Sequence, residues 1–254
     1  MSNGRHRRLQ LVRSAAAGLL LLPLAAVGSG RSEARTYIAT LPPGSLLPSS
    51  AVCQDRVKAD PSPREPRPAN AEANSRTGGK AKVVVDGGSD RFNARHAGRI
   101  RGDFKGTTEQ ILRWAACKWG LDEDITKARA VQESWWRQSQ QGDQETSPSA
   151  CRLIGKPAPC WTSYGVLQVK GTVHEKTYPT AQKSTPFNAD YAMAWQHACF
   201  EGDFTWLGNG YRAGDEWGCV GAWNSGNWYD PMAVAYIARV KDSLTQRTWE
   251  QPGF

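Results

Sequence analysis

Glu133 is the residue whose setting most directly suggests chemistry. It lies in the run Val131–Trp136, near the predicted C-terminal end of a helix and beside two tryptophans. The negative end of the helix dipole and a loss of hydration both disfavour a carboxylate, so both should raise its pKa. A carboxylic acid that stays protonated near neutral pH can act as a general acid. A solvated glutamate at a helix edge is the alternative interpretation.

Two further clusters carry groups suited to binding a sugar. The stretch from Ser163 to Gln168 places a hydroxyl, a glycine and an amide close together, and Ala222–Tyr229 interleaves amides with aromatic rings. Sugar rings pack on flat aromatic faces, while amides hydrogen-bond their hydroxyl and N-acetyl groups. We expect Trp223 and Trp228 to be exposed, whereas core packing accounts better for most of the 11 tryptophans.

Helical patterns surround these clusters. Thr107–Gln110 has the spacing of a capping box, and Gly120 can end the helix that follows. Asp122 or Asp124 can cap the next helix, which carries Glu133 at the edge of its apolar stripe.

Further helical patterns follow in the C-terminal half of the chain. One begins at Asn188, and the pair Asp230 and Pro231 provides a cap and an N1 proline for another that reaches Leu244. Glycine-rich aromatic loops are predicted between them. The domain is therefore predicted to be mainly helical.

The first 30 residues have the pattern of a secretory signal peptide. Four arginines precede an apolar stretch, Ala15–Val27, which is too short to span a membrane and ends in small residues. Arg7 and Arg8 allow a twin-arginine signal as the alternative, but ordinary export fits the following residues better. No cysteine follows the stretch closely, so a lipid anchor is not expected.

The rest of the chain divides near residue 105. Residues 31–104 are rich in Pro, Arg and Gly, hold few large apolar side chains and no tryptophan, and are predicted to be a largely disordered linker. Residues 105–254 contain all the tryptophans and match the usual size of one domain with one core.

The positive charge belongs mainly to the N-terminal part. The whole chain carries a formal charge of +8, yet residues 107–254 hold 14 basic and 16 acidic residues. Nucleic-acid binding is not expected, because such domains usually carry the basic excess themselves. The basic linker could contact an anionic cell wall or membrane surface; a solubilising role is the alternative.

The six cysteines all follow the signal peptide, and an even number outside the cytosol favours disulfides. Of the fifteen pairings that six cysteines allow, we predict Cys151 with Cys160, Cys199 with Cys219, and Cys53 with Cys117. A structural zinc site is the alternative, but neither a CxxC motif nor a histidine pair supports it. Nothing in the sequence requires a metal or an organic cofactor.

The ordered motifs resemble those of the soluble lytic transglycosylases, whose lysozyme-like domain is shared with goose-type lysozymes. The resemblance spans roughly residues 105–244 and rests on Glu133-Ser134, Ser163-x-Gly165-x-x-Gln168, Asn188 and Ala222-Trp223-Asn224-x-Gly226. It implies an α+β, lysozyme-like domain in which Glu133 is the catalytic acid and then base. It also implies these substrate-binding residues: Ser134, Ser163, Tyr164, Gly165, Gln168, Trp223 and Asn224.

The chain departs from the family pattern in two ways. Trp223 stands where the family commonly has tyrosine, and a longer cysteine-bearing loop separates Glu133 from Ser163. No second carboxylate aligns securely, although Asp143 and Asp190 are candidates. A hydrolase of this type normally uses a second carboxylate, whereas a lytic transglycosylase, by the resemblance, needs one acid/base.

The resemblance implies a secreted or cell-wall-associated monomer that cleaves the bond between N-acetylmuramic acid and N-acetylglucosamine in peptidoglycan. The expected product is a 1,6-anhydro-muramyl end. A hydrolytic lysozyme with the same acid is the first alternative. A non-catalytic peptidoglycan-binding module is the second, and a secreted interaction protein without affinity for glycans is the third.

Overall fold

A computed structural model describes residues 36–60, 63–79, 89–208 and 210–254. The predicted signal peptide lies outside these ranges. The α-helices are α1 (Ser50–Lys58), α2 (Ala71–Ser75), α3 (Ser89–Arg95), α4 (Thr108–Lys118), α5 (Glu123–Ser134), α6 (Pro148–Leu153), α7 (Thr180–Lys183), α8 (Thr185–Phe200), α9 (Glu216–Ser225) and α10 (Pro231–Gln246). The strands are β1 (Gln141–Glu145), β2 (Cys160–Tyr164) and β3 (Val169–Lys170). None of the helices in the described ranges is long and apolar enough to cross a membrane.

Helix α8 forms the centre of the fold. All 16 of its residues are buried, as expected for a helix that is enclosed by other elements on every side. Helix α4 packs on both α8 and α5, while α10 packs on α5 and α9. The prediction of a mainly helical protein is confirmed, and α5, which carries Glu133, is held between α4 and α10.

Several predicted helix boundaries agree with the structure. Thr107 and Gln110 form a complete capping box at the start of α4, and Asp122 caps α5 through the backbone N–H groups of Asp124 and Ile125. Asp230 caps α10 and Pro231 is its first residue. Helix α8 begins at Thr185, one turn before the predicted start, because the Ser184 side chain accepts a hydrogen bond from Phe187 N–H.

Helix α9 occupies part of the region predicted as a glycine-rich loop. Its glycines serve packing, since a Cβ on Gly221 would come within 2.9 Å of both Ala233 and Ile237 of α10. A Cβ on Gly218 would overlap the ring of Trp228. Glycine has a low helical propensity, but its lack of a side chain allows α9 to pack closely against its neighbours.

Within the described ranges, residues 36–104 are folded and are not the disordered linker that the composition predicts. Val57 of α1 is fully buried, and Phe92, Ile100 and Phe104 are 1% exposed or less. These side chains enter the same apolar core as α4 and α8. The segment has too few apolar residues to form a core of its own, but it completes one that the C-terminal residues build.

The segment 63–79 is attached to the chain that leaves α5. Arg67 donates to the carbonyl oxygen of Trp135 at 2.6 Å, and Asn70 donates to that of Trp136 at 2.7 Å. Trp135 and Trp136 have φ angles of 54° and 58°, a left-handed conformation that is costly for bulky residues. The N-terminal segment thus stabilises a strained turn that begins two residues after Glu133.

The three strands form one antiparallel sheet in the order β1-β2-β3. Gly142 pairs with Ser163, and Gln144 with Trp161, between β1 and β2. Ser163 also pairs with Lys170 of β3. The sheet follows α5 in the chain and brings the second predicted cluster close to the first.

All three predicted disulfides are present. Cys53 is bonded to Cys117, Cys151 to Cys160, and Cys199 to Cys219. The first joins α1 to α4, the second closes the loop between α6 and β2, and the third joins α8 to α9. Their presence is compatible with a secreted protein, because disulfides persist in oxidising compartments.

Candidate functional site

A cavity of about 470 Å³ opens where the two predicted clusters meet Glu133. Helices α5, α9 and α10 form one wall, and the sheet with its following turn forms the other. The residues that line the cavity are Glu133, Asp143, Ser163, Gln168, Lys170, His174, Trp223, Asn224 and Met232. The structure therefore brings together five of the predicted site residues and Asp143.

Glu133 lies in the last turn of α5 and is partly buried. Tyr236 of α10, which is only 2% exposed, donates a hydrogen bond of 2.5 Å to its Oε1 atom. The phenol therefore fixes one carboxyl oxygen of Glu133. Burial and the charge of Glu133 raise the pKa of Tyr236 well above its usual value, so Tyr236 keeps its proton and remains a donor.

Burial raises the pKa of Glu133 to about 7, and the negative charge of Asp143 adds to the increase. The hydrogen bond from Tyr236 and the positive charge of Arg129 act in the opposite direction. The raised pKa agrees with the prediction that Glu133 loses hydration. The neighbouring Trp135 is 47% exposed, whereas Trp136 is 1% exposed.

Arg129 lies one helical turn before Glu133 and is fully buried. Its guanidinium group stands 5.4 Å from the ring centre of Trp223 and donates a hydrogen bond to the side-chain oxygen of Gln196. This buried cation lies beneath the helical wall. It supports the ring of Trp223 and stabilises negative charge on Glu133.

The sheet wall carries a second carboxylate in a different setting. The Asp143 side chain is 57% exposed; it accepts a hydrogen bond of 2.6 Å from the Ser163 hydroxyl and pairs with the Lys170 ammonium at 3.3 Å. Asp143 has a φ of 54°, a left-handed conformation that interrupts the regular pairing of β1 with β2. Of the two candidate second carboxylates, Asp143 lies in the cavity.

Asp190, the other candidate, lies outside the cavity and is fully buried. It accepts hydrogen bonds from the Lys118 ammonium and the Trp119 indole, both at 2.7 Å, and from two backbone N–H groups. These contacts join α8 to α4 and to the N-terminal segment. Asp190 is thus placed to hold the core together.

The turn after β2 depends on Gly165. Its φ is 81°, and a Cβ there would come within 2.4 Å of the Asn188 side chain. Asn188 holds this turn through the carbonyl oxygen of Tyr164 and the N–H of Leu167. The next side chain of the motif, Gln168, donates to the carbonyl oxygen of Gly165 at 2.8 Å and also lines the cavity.

Trp223 and Asn224 reach the cavity from α9. Trp223 is partly buried and stacks on the ring of His174, with 5.2 Å between the ring centres and 8° between the planes. Asn224 is exposed at the rim. Trp228, which was predicted to be exposed, is partly buried against Gly218 and lies outside the cavity lining. The exposed tryptophans of the described chain are Trp135, Trp161 and Trp206.

Two predicted substrate-binding side chains do not line the cavity. Ser134 is 4% exposed and donates to the carbonyl oxygen of Val166 at 2.9 Å. Tyr164 is fully buried on the other face of the sheet, where its hydroxyl contacts the Lys156 ammonium at 2.9 Å. Ser134 and Tyr164 therefore stabilise the walls of the cavity through contacts outside its lining.

Lys170, His174, Tyr236 and Met232 were not predicted as site residues. Tyr236 lies four residues before Val240, so its spacing in α10 is that of an ordinary core position. Its contact with Glu133 joins residues 103 apart in the chain, and no local pattern indicates it.

The cavity combines one desolvated acid with aromatic, amide and hydroxyl groups. Within the described ranges, no three or more His, Cys, Asp and Glu side chains come together as a potential metal site. Comparison with known proteins finds no matching family model, no matching curated protein and no matching solved structure.

Proposed function

We propose that this protein is a secreted lytic transglycosylase that cleaves the β-1,4 bond between N-acetylmuramic acid and N-acetylglucosamine in peptidoglycan. The observation that carries the proposal is the position of Glu133, an acid with a pKa of about 7 in a cavity that also presents Trp223, Asn224 and Gln168. A general acid works best when its pKa lies near the working pH.

In the first step, Glu133 gives its proton to the glycosidic oxygen. The bond from the anomeric carbon to that oxygen breaks, and its electron pair leaves with N-acetylglucosamine. The muramyl ring develops oxocarbenium character, and Tyr236 stabilises the new carboxylate through its hydrogen bond to Oε1. Arg129 adds a buried positive charge one helical turn away.

In the second step, the Glu133 carboxylate takes the proton of the muramyl C6 hydroxyl. The C6 oxygen attacks the anomeric carbon and closes a 1,6-anhydro ring, which returns Glu133 to its protonated form without consuming water. A pKa near 7 suits both steps, because the group must donate and then accept a proton at the same pH.

The other cavity residues have roles that follow from their groups. The flat face of Trp223 can support a pyranose ring, while the amides of Asn224 and Gln168 can hydrogen-bond N-acetyl and hydroxyl groups. The excess of basic residues before residue 105 supports a further proposal, electrostatic contact with an anionic cell wall. We propose that the protein acts as a monomer and without a cofactor.

One observation favours a second candidate, a hydrolytic lysozyme. Asp143 lies in the same cavity as Glu133, and its charge contributes to the raised pKa of Glu133. Inverting glycosidases use such a second carboxylate to activate water. The contacts of Asp143 with Ser163 and Lys170 are both made by its Oδ2 atom, so Oδ1 is the oxygen that would activate water in that role.

Mass spectrometry of the soluble products from purified peptidoglycan tests the proposal. Wild type, Glu133→Gln and Glu72→Gln are compared; Glu72 is an exposed helical glutamate outside the cavity and serves as the control. We expect anhydro-muropeptides from wild type and from the control, and none from Glu133→Gln.

The other outcomes identify the alternatives. Products with reducing muramic acid ends would replace the proposal with a lysozyme. Binding of insoluble peptidoglycan without release by any of the three proteins would indicate a binding module. Absence of both binding and release would contradict a role on peptidoglycan.

A further inference from the structure

Trp161 is an exposed aromatic residue on the central strand of the sheet. Its side chain is 42% exposed, although the strand is paired on both edges. Burying an aromatic side chain of this size is favourable by about 2 kcal/mol or more, so the fold forgoes part of that gain while a bound ligand could recover it. Trp161 lies outside the lining of the cavity, and the reaction steps described above do not use it.

The pleat of β2 puts Trp161 on the face of the sheet that lines the cavity. Residues two apart in a strand share a face, so Trp161 lies on the same side as Ser163. Cys160 and Tyr164 point to the other side, where they join a small buried cluster with Cys151 and Ile154. The exposed indole therefore continues the surface that begins at Ser163.

Two rows of cross-strand neighbours follow one another on this face. The inner row consists of Gly142, Ser163 and Lys170, and the outer row consists of Gln144 and Trp161. Neighbouring rows are separated by about 7 Å along the strands, so one bound glycan can contact both rows. Side chains of directly paired residues lie about 5 Å apart, so an exposed amide stands beside the exposed indole.

The local backbone holds Trp161 in place. Cys160, immediately before it, is fixed by the disulfide to Cys151, and the Thr162 hydroxyl donates to the carbonyl oxygen of Asp143 at 2.9 Å. The Tyr164 hydroxyl donates to the carbonyl oxygen of Trp161 itself. A platform that is already ordered loses little entropy when a ligand binds.

We infer that the outer row, Gln144 and Trp161, is an additional glycan-binding subsite, in which a pyranose ring packs on the indole and the amide binds a hydroxyl or N-acetyl group. The inference rests on the proposed function. The occupant is the same glycan strand that fills the cavity, one to two sugars further along the sheet. The loop that the Cys151–Cys160 disulfide closes ends at the residue before Trp161.

Titration calorimetry with N-acetylglucosamine oligomers tests the inference. Glu133→Gln is used as the parent so that no ligand is cleaved, and the trimer and hexamer are compared. We expect the parent to bind the hexamer more tightly than the trimer. Adding Trp161→Ala should weaken hexamer binding about fivefold to tenfold, as expected for the loss of one stacking contact, and should remove most of the gain with length.

Two further variants sharpen the test. Trp161→Tyr should restore most of the hexamer affinity, because the ring face remains. Trp206→Ala, at another exposed tryptophan outside the sheet, should leave binding of both oligomers within twofold of the parent.

The outcomes separate the inference from the proposed function. If Trp161→Ala keeps the full gain from trimer to hexamer, or weakens both oligomers equally, the subsite is wrong while the cavity proposal stands. If the parent binds neither oligomer and the wild type neither binds nor releases peptidoglycan, both proposals are wrong.

Discussion

The two walls of the cavity hold their carboxylates in opposite ways. On the helical wall, Glu133 is desolvated and touched by a buried tyrosine, and its pKa is raised to about 7. On the sheet wall, the Asp143 side chain is 57% exposed and contacts a hydroxyl and an ammonium group. The carboxyl group of Glu133 is thus costly to ionise, whereas the carboxylate of Asp143 is largely solvated.

This difference follows from the elements that build each wall. Helices α5 and α10 pack tightly enough to exclude water from their shared face, so a carboxyl group at its edge loses hydration. The small sheet has one open face, which leaves the Asp143 and Trp161 side chains partly in solvent. The helical wall is therefore suited to proton transfer, and the sheet wall to contacts with a ligand.

The largest expected effect separates the two carboxylates directly. Glu133→Gln should lower the initial rate of muropeptide release by about 100-fold or more, because it removes the general acid. Asp143→Asn should change the same rate by no more than about threefold. A loss of similar size in both variants would contradict the contrast between the walls and would favour a hydrolase with two carboxylates.

A smaller effect is expected at Tyr236. Tyr236→Phe removes a hydrogen bond that lowers the pKa of Glu133, so that pKa should rise further above about 7. We expect a rate loss of about tenfold and a shift of the alkaline limb of the pH profile to higher pH, because the acid stays protonated for longer. Thermal unfolding of the variant serves as the control for packing. A rate loss with an unchanged pH profile would indicate that Tyr236 only supports the core.

The smallest effect concerns stability. Because the pKa of Glu133 is about 7 in the fold and lower in the unfolded chain, its neutral form contributes stability that is complete below pH 4.5 and is lost as pH rises through about 7. Glu133→Gln does not titrate, so its stability relative to wild type should increase with pH. The expected gain at pH 8 is about 1 kcal/mol after allowance for solvent screening, or roughly 3 °C in melting temperature. A constant difference between pH 4 and pH 8 would contradict the raised pKa.

The features that could be predicted from the sequence are those that depend on neighbouring residues. The capping box at Thr107 and the cap at Asp122 each involve residues no more than three positions apart. The Cys151–Cys160 and Cys199–Cys219 pairs were predicted because the loops between them are short. The Cys53–Cys117 pair was predicted because these two cysteines remained.

The features that could not be predicted depend on distant contacts. Tyr236 reaches Glu133 across 103 residues, and Lys170 reaches Asp143 only because two strand pairings bring them together. Helix α9 was not predicted because its glycines lower helical propensity. One of them, Gly221, is needed for close packing against α10. The N-terminal segment was misjudged because its sparse apolar residues fill a core that other segments build.

The disulfide between Cys53 and Cys117 determines how the protein would respond to a single proteolytic cut. It closes a loop with a sequence separation of 64, which includes the segment that holds the end of α5. A single cut anywhere in that loop would leave both pieces covalently joined, and after a cut between Asn70 and Cys117 the hydrogen bonds of Arg67 and Asn70 would also connect them. A nicked molecule would therefore run as one band on a denaturing gel without reductant and as two bands with it. We expect the turn at Trp135 and Trp136 to keep its conformation after such a cut.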